Sequence, residues 1–446
     1  RDGDTALAID LATGEHRPRR RIASDAVAAA RAEPDLGARM AILVGADEPA
    51  GRFLRDLLTA EARYAVRVLE EVAPDGAALD RAMRAGFGRE LGPLETWAVL
   101  TRAPAPPRAA PPPGGIDPVV LRRGPARLEG DADAAILELG DGLLGVELHG
   151  GLNLLRPPVQ RLIRRAVELA GERYDGLVIG ASGPDFSAGA DLGPAAATAE
   201  AGDWDAIERA LLGIQALMRA IRRCPAPVVA APRGHTLGGG AEVCLAAARR
   251  QPLADVALGL PEALIGLIPA AGGVTALARR VAASAADPGA DALPAFLARF
   301  REMARGRPSA SAEEALSMGL LEPGDLVTAD PERQWGDAAR VARTLAEAGH
   351  RPPGDAPIPV LGRRGAAACA ALTHDEVAAG RMTPHDRVVA LELARVLAGG
   401  DVPAGTAVSE DHLMDLERES FLRLLGTEAT RARIRHTLAT GRPLRN

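Results

Sequence analysis

Lysine is absent from this sequence of 446 residues, and aromatic residues make up only 2% of it. Every permanently positive side chain is therefore an arginine, and we expect the hydrophobic cores to consist mainly of Ala, Leu and Val. The three cysteines, Cys224, Cys244 and Cys369, are odd in number and widely separated. This pattern excludes a disulfide framework and lacks metal-ligand spacing, so we predict a reduced compartment and no metal site.

The formal net charge is −6, which argues against a broad electrostatic surface for nucleic acid. The sequence also lacks an apolar run of about 18 residues and any signal-peptide pattern. We therefore predict no membrane association and a cytoplasmic location. The first residue is Arg1 rather than Met, which indicates a chain that is either processed or a piece of something longer.

What remains is the composition of an ordinary globular protein, with 47% hydrophobic and 25% charged residues. At roughly 150 residues per domain, the length predicts about three domains. Apolar residues at three- and four-residue steps between Arg52 and Glu71 predict a long helix. Later strands alternate with helices, among which we predict a long helix over Trp204–Arg222 and a shorter one over Glu242–Ala248. We predict a helical domain over 1–100, a proline-rich linker over 101–118, an α/β domain over 119–325 and a helical region over 326–446.

Two features invite a functional interpretation that their context does not support. Residues 140–145 (GDGLLG) match the GxGxxG spacing of a dinucleotide-binding loop, but residues 146–149 (VELH) alternate like a strand instead of starting a helix. Asp141-Gly142 between two strands predicts a hairpin turn. His235 lies in a glycine-rich loop, where local packing or hydrogen bonding explains it better than catalysis does.

Two glycine-rich loops each follow an expected buried strand. They are Phe186–Leu192 (FSAGADL) and Gly234–Glu242 (GHTLGGGAE). Backbone without side chains lets a ligand approach the main chain closely, and two N–H groups converging on one oxygen form an oxyanion hole. The second loop also opens a helix, so its N–H groups carry the positive end of the helix dipole.

Two glutamates accompany these loops. Glu242 falls in the first turn of the helix that the second loop opens, and Glu262 follows Pro261, a residue suited to the first helical position. Acidic residues are favoured in first helical turns, so each glutamate alone has a structural explanation. Together with two glycine loops at strand ends, the pair is a more specific indication of acid–base chemistry.

The segments FSAGADL, GHTLGGGAE and LGLPEALIGLIPAAGG, in this order and spacing, resemble the crotonase (enoyl-CoA hydratase/isomerase) superfamily. The resemblance implies that the N–H groups of Ala190 and Gly239 hold a thioester oxygen. It also implies that Glu242 and Glu262 are the two catalytic acids. Further residues are implied to bind the substrate: Ala188, Gly189, Asp191, Leu192, Gly238, Gly240 and Pro261.

A second resemblance extends over nearly the whole chain. The segments GEHRPRRR, AGRFLRDLL and ALDRAMRAGFGRELGPLETW (78–97), with the closing ATGRPLRN, are similar to the C-terminal portion of fused 3-hydroxyacyl-CoA dehydrogenase/enoyl-CoA hydratase proteins of fatty-acid β-oxidation. The implied fold class is α/β. A small all-α dehydrogenase-like domain would precede a crotonase-like ββα spiral domain, and a helical C-terminal region would follow it.

Fusions of this kind place a nicotinamide-binding domain ahead of the matching region, and nothing in this chain resembles that domain. We therefore expect NAD to act only through an absent domain, and no dehydrogenase activity from this chain alone. The implied partners are an acyl-CoA thioester and either further copies of the chain or an NAD-binding dehydrogenase part. Without lysine, arginines must hold the CoA phosphates.

The leading hypothesis is hydration of trans-2-enoyl-CoA to 3-hydroxyacyl-CoA, a lyase reaction that needs no cofactor. One alternative is an enoyl-CoA isomerase or another CoA enzyme of the same fold. Another is a non-catalytic CoA-binding or assembly subunit whose helices serve as docking surfaces. The presence of both glutamates favours hydration, since a double-bond shift can run with one, and it counts against an inactive site.

Overall fold

The computed structural model describes residues 7–10, 12–18, 24–33, 36–102, 111–285 and 290–446. Contacts divide the chain into two compact units, Arg1–Ala109 and Ala110–Asn446. The predicted linker over 101–118 lies between a helix that ends at Thr101 and one that begins at Pro118, and its residues 103–110 are outside the described part. The second unit includes both 119–325 and 326–446, and the predicted boundary between these segments stays a prediction.

The first unit is mainly helical. Its described elements are β1 (Leu7–Ile9), β2 (His16–Pro18), α1 (Asp25–Ala32), α2 (Leu36–Gly45), α3 (Pro49–Val72), α4 (Gly76–Phe87) and α5 (Pro93–Thr101). The long helix predicted over Arg52–Glu71 is confirmed as α3. The antiparallel pairing of β1 with β2 departs from the all-α prediction, because the Asp10 side chain accepts the Ala12 N–H at 3.0 Å and stabilises the turn between the strands.

The second unit is built on a mixed sheet. Its strands are β3 (Arg127–Gly130), β4 (Ala134–Gly140), β5 (Leu143–Leu148), β6 (Gly176–Ala181), β7 (Val228–Ala231) and β9 (Arg249–Arg250), in the spatial order β3-β4-β5-β6-β7-β9. Pairing is antiparallel from β3 to β5 and parallel from β5 to β9. The remaining pairs are β8 (His235–Leu237) with β10 (Ala257–Gly259), and β11 (Ile358–Pro359) with β12 (Ala407–Val408).

Helices surround these strands. They are α6 (Pro118–Arg123), α7 (Pro157–Arg173), α8 (Leu192–Glu200), α9 (Trp204–Arg222), α10 (Gly239–Ala246), α11 (Gly273–Ser284), α12 (Leu293–Arg305), α13 (Ala312–Ser317), α14 (Gln334–Glu347), α15 (Gly362–Ala378), α16 (Pro384–Leu397), α17 (Glu410–Leu425) and α18 (Glu428–Thr440). Short 3-10 turns cover Gly151–Asn153 and Glu262–Ile265. Within the described ranges, no helix is long and apolar enough to cross a lipid bilayer.

The central strands are apolar on both faces because both faces are covered. Residues of β4 to β7 that point to one face join the main core with α7 and α9. Val178 and Val229 point to the other face, where they pack against Trp335 and Ala338 of α14. Strands buried on both sides carry near-continuous apolar runs, as the sequence of β6 does.

The GDGLLG segment is the hairpin that the sequence predicts. Asp141 and Gly142 have φ angles of 51° and 74°, as a two-residue hairpin loop requires, and join β4 to its antiparallel neighbour β5. Because a strand follows this turn, no helix N-terminus faces the place where a pyrophosphate would sit.

The two glycine-rich loops follow β6 and β7, which are parallel neighbours in the sheet. The carboxyl ends of parallel strands meet at one edge, so the topology brings both loops to the same place. Helices α16 and α18 pack against the 3-10 turn Glu262–Ile265, and α17 packs against α11. The C-terminal helices therefore surround the segments that carry the predicted site.

Candidate active site

The first glycine-rich loop is fixed by its own buried serine. The Ser187 hydroxyl donates to the Asn153 carbonyl at 2.7 Å and accepts the Gly189 N–H at 3.0 Å. Gly189 has a φ of 89°, and a Cβ there would lie 2.8 Å from the Leu237 carbonyl oxygen and 2.9 Å from the Gly239 nitrogen. Only glycine permits this approach, so the two loops are in direct backbone contact.

The second loop runs through β8 into α10. The Gly238 N–H donates to the Gly259 carbonyl at 3.0 Å, and α10 begins at the next residue, Gly239. This start lies three residues before the helix predicted from Glu242 onward. Gly240 is buried against the first loop, since a Cβ there would lie 2.7 Å from the Ser187 Cβ.

The N–H groups of Ala190 and Gly239 are neighbours. A Cβ placed on Gly239 would lie 3.6 Å from the Ala190 nitrogen. Among the hydrogen bonds of the described residues, neither N–H has an acceptor. Gly239 also stands at the N-terminus of α10, where the first N–H groups have no intrahelical partner. Two adjacent donors of this kind can stabilise an oxyanion.

Glu242 is 5% exposed and lies in the first turn of α10. Its Oε1 accepts the N–H groups of Ala271 at 2.8 Å and Gly273 at 2.9 Å. No hydrogen bond to a described residue involves its Oε2. Burial raises the pKa of Glu242 to about 7, although the two N–H groups act in the opposite direction. The group therefore titrates near neutrality, with one oxygen fixed and the other available.

Glu262 reaches the same place from another segment. Its Oε1 lies 3.0 Å from the position that a Cβ on Gly238 would occupy, and its Oε2 is buried without a hydrogen-bond partner. Burial, and then the charge of Glu242, raise the pKa of Glu262 well above 4.5. Pro261 precedes a 3-10 turn and not the α-helix that the sequence suggests, because Gly266 ends the turn after one revolution.

The other residues assigned from the resemblance surround this centre through backbone and cap contacts. The Ala188 N–H donates to the Leu152 carbonyl at 3.0 Å. Asp191 caps α8 and pairs with Arg156 at 3.3 Å. Leu192 begins α8 and packs against the main core. Their roles toward a substrate stay predictions.

His235 is the first residue of β8, not a loop residue as the sequence suggests, and its side chain has a local partner. Its Nδ1 lies 2.9 Å from Asp185 Oδ1, and its side chain is 64% exposed. Across the described residues, no group of three or more His, Cys, Asp or Glu side chains is arranged to hold a metal ion. The cysteines Cys224, Cys244 and Cys369 are free and buried.

Sequence reasoning missed one carboxylate beside the pair. Glu417 of α17 is fully buried, and its charge also raises the pKa of Glu262. A signal for it exists, because Glu417 shares the buried stripe of an amphipathic helix with Leu413, Ser420 and Leu424. A charged residue on such a stripe is rarely buried without a specific partner.

Part of the chain matches a known protein family. Residues 168–347 match the family model described as enoyl-CoA hydratase/isomerase. Over its whole length the chain is 32% identical, in 487 aligned positions, to a protein of Bacillus subtilis (strain 168) named "Probable 3-hydroxyacyl-CoA dehydrogenase", of which it spans 61%. A second protein of that organism, "Probable enoyl-CoA hydratase", is 32% identical over 182 residues, which are 39% of this chain and 64% of the relative. The chain thus spans less than two thirds of either relative.

Solved structures with similar coordinates include an enoyl-CoA hydratase from Bacillus halodurans, with a TM-score of 0.46 and 16% identity over 68% of this chain and 99% of that one. For an enoyl-CoA hydratase/isomerase from Mycobacterium paratuberculosis the TM-score is 0.45 and the sequence identity is 19%. The match covers 69% of this chain and 99% of that one. Both predicted glutamates and both glycine-rich loops lie inside the range of the family match. Residues 168–347 of this chain therefore belong to the enoyl-CoA hydratase/isomerase family, the crotonase family.

Proposed function

We propose that the chain adds water to trans-2-enoyl-CoA thioesters and releases 3-hydroxyacyl-CoA. The observation that carries this proposal is the meeting of the buried Glu242 with the half-buried Glu262, whose Oε2 is buried, beside the Ala190 and Gly239 N–H groups, which have no acceptor among the described residues. Addition of water to the conjugated double bond moves negative charge onto the thioester oxygen. Each preorganised donor to that oxygen is worth about 10²–10³ in rate.

Glu242 is the base in this proposal. Its ionised Oε2 takes a proton from water as the water oxygen bonds to Cβ of the substrate, while Oε1 stays bound to the Ala271 and Gly273 N–H groups. Glu262, whose raised pKa favours the neutral form, delivers a proton to Cα. Such acid–base assistance contributes typically about 10²–10⁴ in rate. The addition is redox-neutral and needs no cofactor.

We further propose that the chain is part of a bifunctional hydratase/3-hydroxyacyl-CoA dehydrogenase. Its support is the similarity along the whole chain to the Bacillus subtilis relative. NAD does not fit the GDGLLG segment, which is a hairpin followed by β5 and not by a helix. We therefore assign NAD to a domain outside this chain. Assembly into a homo-oligomer or with an NAD-binding part stays a prediction.

Crotonyl-CoA tests the hydration with the purified chain and no added nicotinamide. We expect loss of the conjugated-thioester absorbance and formation of 3-hydroxybutyryl-CoA. A 3-enoyl-CoA in a parallel reaction measures isomerisation. Turnover of the 3-enoyl-CoA alone would replace the hydratase assignment with an isomerase. If the folded chain turns over neither substrate, the non-catalytic alternative is favoured.

A further inference from the structure

Within the described part of the chain, the hydrogen bonds of Glu417 go to the first turn of α11 and to Gly272, which caps it. Its Oε1 accepts the N–H of Thr275 at 2.7 Å and the hydroxyl of Thr275 at 2.8 Å. Its Oε2 accepts the N–H of Gly272 at 2.7 Å. Because both oxygens are engaged and the side chain is fully buried, Glu417 does not itself reach a substrate.

The same turn holds Glu242. The N–H groups of Ala271 and Gly273 point to Glu242, whereas those of Gly272 and Thr275 point to Glu417. The two carboxyl groups thus share the donors at one helix N-terminus, where unpaired N–H groups and the helix dipole favour acceptors. Along the chain, the N–H groups bound to Glu242 therefore alternate with those bound to Glu417.

Further contacts tie the turn to α17. The Gln215 side-chain amide donates to the Ala270 carbonyl at 3.0 Å and to the Met414 carbonyl at 2.8 Å, and both bonds are buried. A Cβ on Gly272 would lie 2.9 Å from the Met414 Cε, so the helix and the turn are in close contact. The geometry of the turn therefore depends on α17.

We propose that Glu417 is a positioning residue for the hydration: it fixes the first turn of α11 so that this turn holds Oε1 of Glu242 and leaves Oε2 for the attacking water. The inference rests on the proposed function. Without an acceptor on α17, the Gly272 and Thr275 N–H groups would be buried and unpaired, and the turn would rotate or admit water. A displacement of about 1 Å at a reacting group can cost about 10²-fold in rate.

The pKa of Glu417 reflects its burial and its closeness to Glu242. Burial, and then the charge of Glu242, raise the pKa of Glu417 to about 8. In either protonation state Oε2 keeps a lone pair for the Gly272 N–H. The amide nitrogen of a glutamine has no such lone pair. Glu417→Gln therefore preserves volume and the Thr275 contact but places two donors against each other at Gly272.

The experiment compares Glu417→Gln with a matched variant on the same helix. Glu410 of α17 is also buried and pairs with Arg222 at 3.5 Å, Arg223 at 3.7 Å and Arg279 at 3.0 Å. None of these ion pairs involves the turn that holds Glu242. Glu410→Gln weakens the packing of α17 against α9 and α11 without removing an acceptor from the turn. The assay is crotonyl-CoA hydration with kcat and KM separated, alongside thermal unfolding of each protein.

We expect Glu417→Gln to lower kcat by at least about tenfold, with KM changed by less than about threefold and unfolding still cooperative. Glu410→Gln is expected to keep the kcat of the unmodified chain even where its unfolding temperature falls. A Glu417→Gln variant with kcat within about twofold of the unmodified chain overturns the proposal, as does an equal loss in Glu410→Gln. An unmodified chain that turns over no crotonyl-CoA overturns the proposed function itself.

Thr275→Val keeps the inference testable if Glu417→Gln does not fold. The substitution removes the hydroxyl donor, retains both N–H donors and is close in volume to the original side chain. We expect a reduction in kcat of about two- to fivefold with unchanged KM. An unchanged kcat in this folded variant overturns the proposal.

Discussion

Glu242 and Glu262 are chemically identical residues placed in different surroundings. Two N–H groups hold one oxygen of Glu242, whereas the buried Oε2 of Glu262 has no partner. Burial raises both pKa values, and that of Glu262 is raised further by the charge of Glu242. Environments that separate the pKa values of two carboxyl groups favour one as base and the other as acid.

The pH dependence of hydration follows from this separation. We expect kcat/KM for crotonyl-CoA to rise as pH increases through about 7, where Glu242 ionises, and to fall at higher pH as Glu262 loses its proton. The two limbs belong to the coupled pair and not to single residues. Initial rates at low substrate concentration on both sides of neutrality measure the profile. If kcat/KM instead rises with a midpoint near pH 4.5, the ordinary pKa of glutamate, the raised pKa of Glu242 is contradicted.

A substitution of the single residue Gly189 offers a second test. A methyl group at this position would meet the Gly239 nitrogen at 2.9 Å, and the φ of 89° is unfavourable for alanine. We expect Gly189→Ala to lower kcat by about 10² or more, since it displaces one of the two N–H donors. Gly213→Ala is the control, because a Cβ there meets nothing within 4 Å. Equal hydration rates in the two variants would show that the close contact between the two loops is not needed for catalysis.

Local motifs made part of the site predictable from sequence. Each glycine loop is a short segment, as are the segments that contain Glu242 and Glu262. The residue types within each segment are enough to indicate its role. Glu417 instead contacts Thr275 and Gly272 across 142 and 145 positions of the chain. Only tertiary packing brings α17 to that turn, so the apolar stripe shows that Glu417 is unusual without showing its partner.

At the scale of elements, the strands and long helices agree with prediction better than the short segments do. The helix predicted over Trp204–Arg222 is confirmed as α9, because its apolar residues repeat at helical spacing. The start of α10 was placed too late, at Glu242. Glycines have low helix propensity, but the packing of Gly240 against Ser187 holds them in the helix.

The turn that carries Glu262 depends on α18. The Thr430 hydroxyl donates to the Gly266 carbonyl at 2.9 Å and lies 2.9 Å from Nε2 of His385. We expect Thr430→Val to lower the free energy of unfolding by about 1–3 kcal/mol, because it leaves these buried groups unpaired. Urea unfolding measures the change.

The matched control for Thr430 is on the same helix. Thr437→Val removes an exposed hydroxyl that donates to the Arg442 carbonyl at 3.3 Å. Its effect is expected to stay within about 0.5 kcal/mol. If both variants unfold at the same urea concentration, the Gly266 contact contributes nothing to stability.

At the scale of the whole molecule, three buried carboxyl groups make stability depend on pH. The pKa values of Glu242 and Glu417 are about 7 and about 8 in the folded chain and 4.5 in ordinary surroundings, and that of Glu262 is also raised. Between these values the folded chain keeps protons that the unfolded chain releases. Raising the pH therefore favours the unfolded state.

Below pH 6.5, the ordinary pKa of histidine, the histidines have the opposite effect: they make the free energy of unfolding rise with pH. Burial lowers the pKa values of His149, His350 and His385, so the unfolded chain binds more protons there. We therefore expect the free energy of unfolding to fall between pH 6.5 and about 8, where the carboxyl groups dominate. Urea unfolding across this interval measures the slope, and Glu417→Gln should make it shallower. A free energy that rises over the interval would contradict the raised pKa values.

The central claim is that two glutamates act together, one as base and one as acid, in the addition of one water beside a pair of backbone donors. Its most direct test is crotonyl-CoA hydration by Glu242→Gln, Glu262→Gln and the double variant, with Glu410→Gln as a control for buried-charge loss. We predict that each single substitution lowers kcat by at least about 10²-fold with the fold retained, and that the double variant is little worse than the slower single one. Near-normal turnover in either single variant, or losses that multiply in the double variant, would contradict the account.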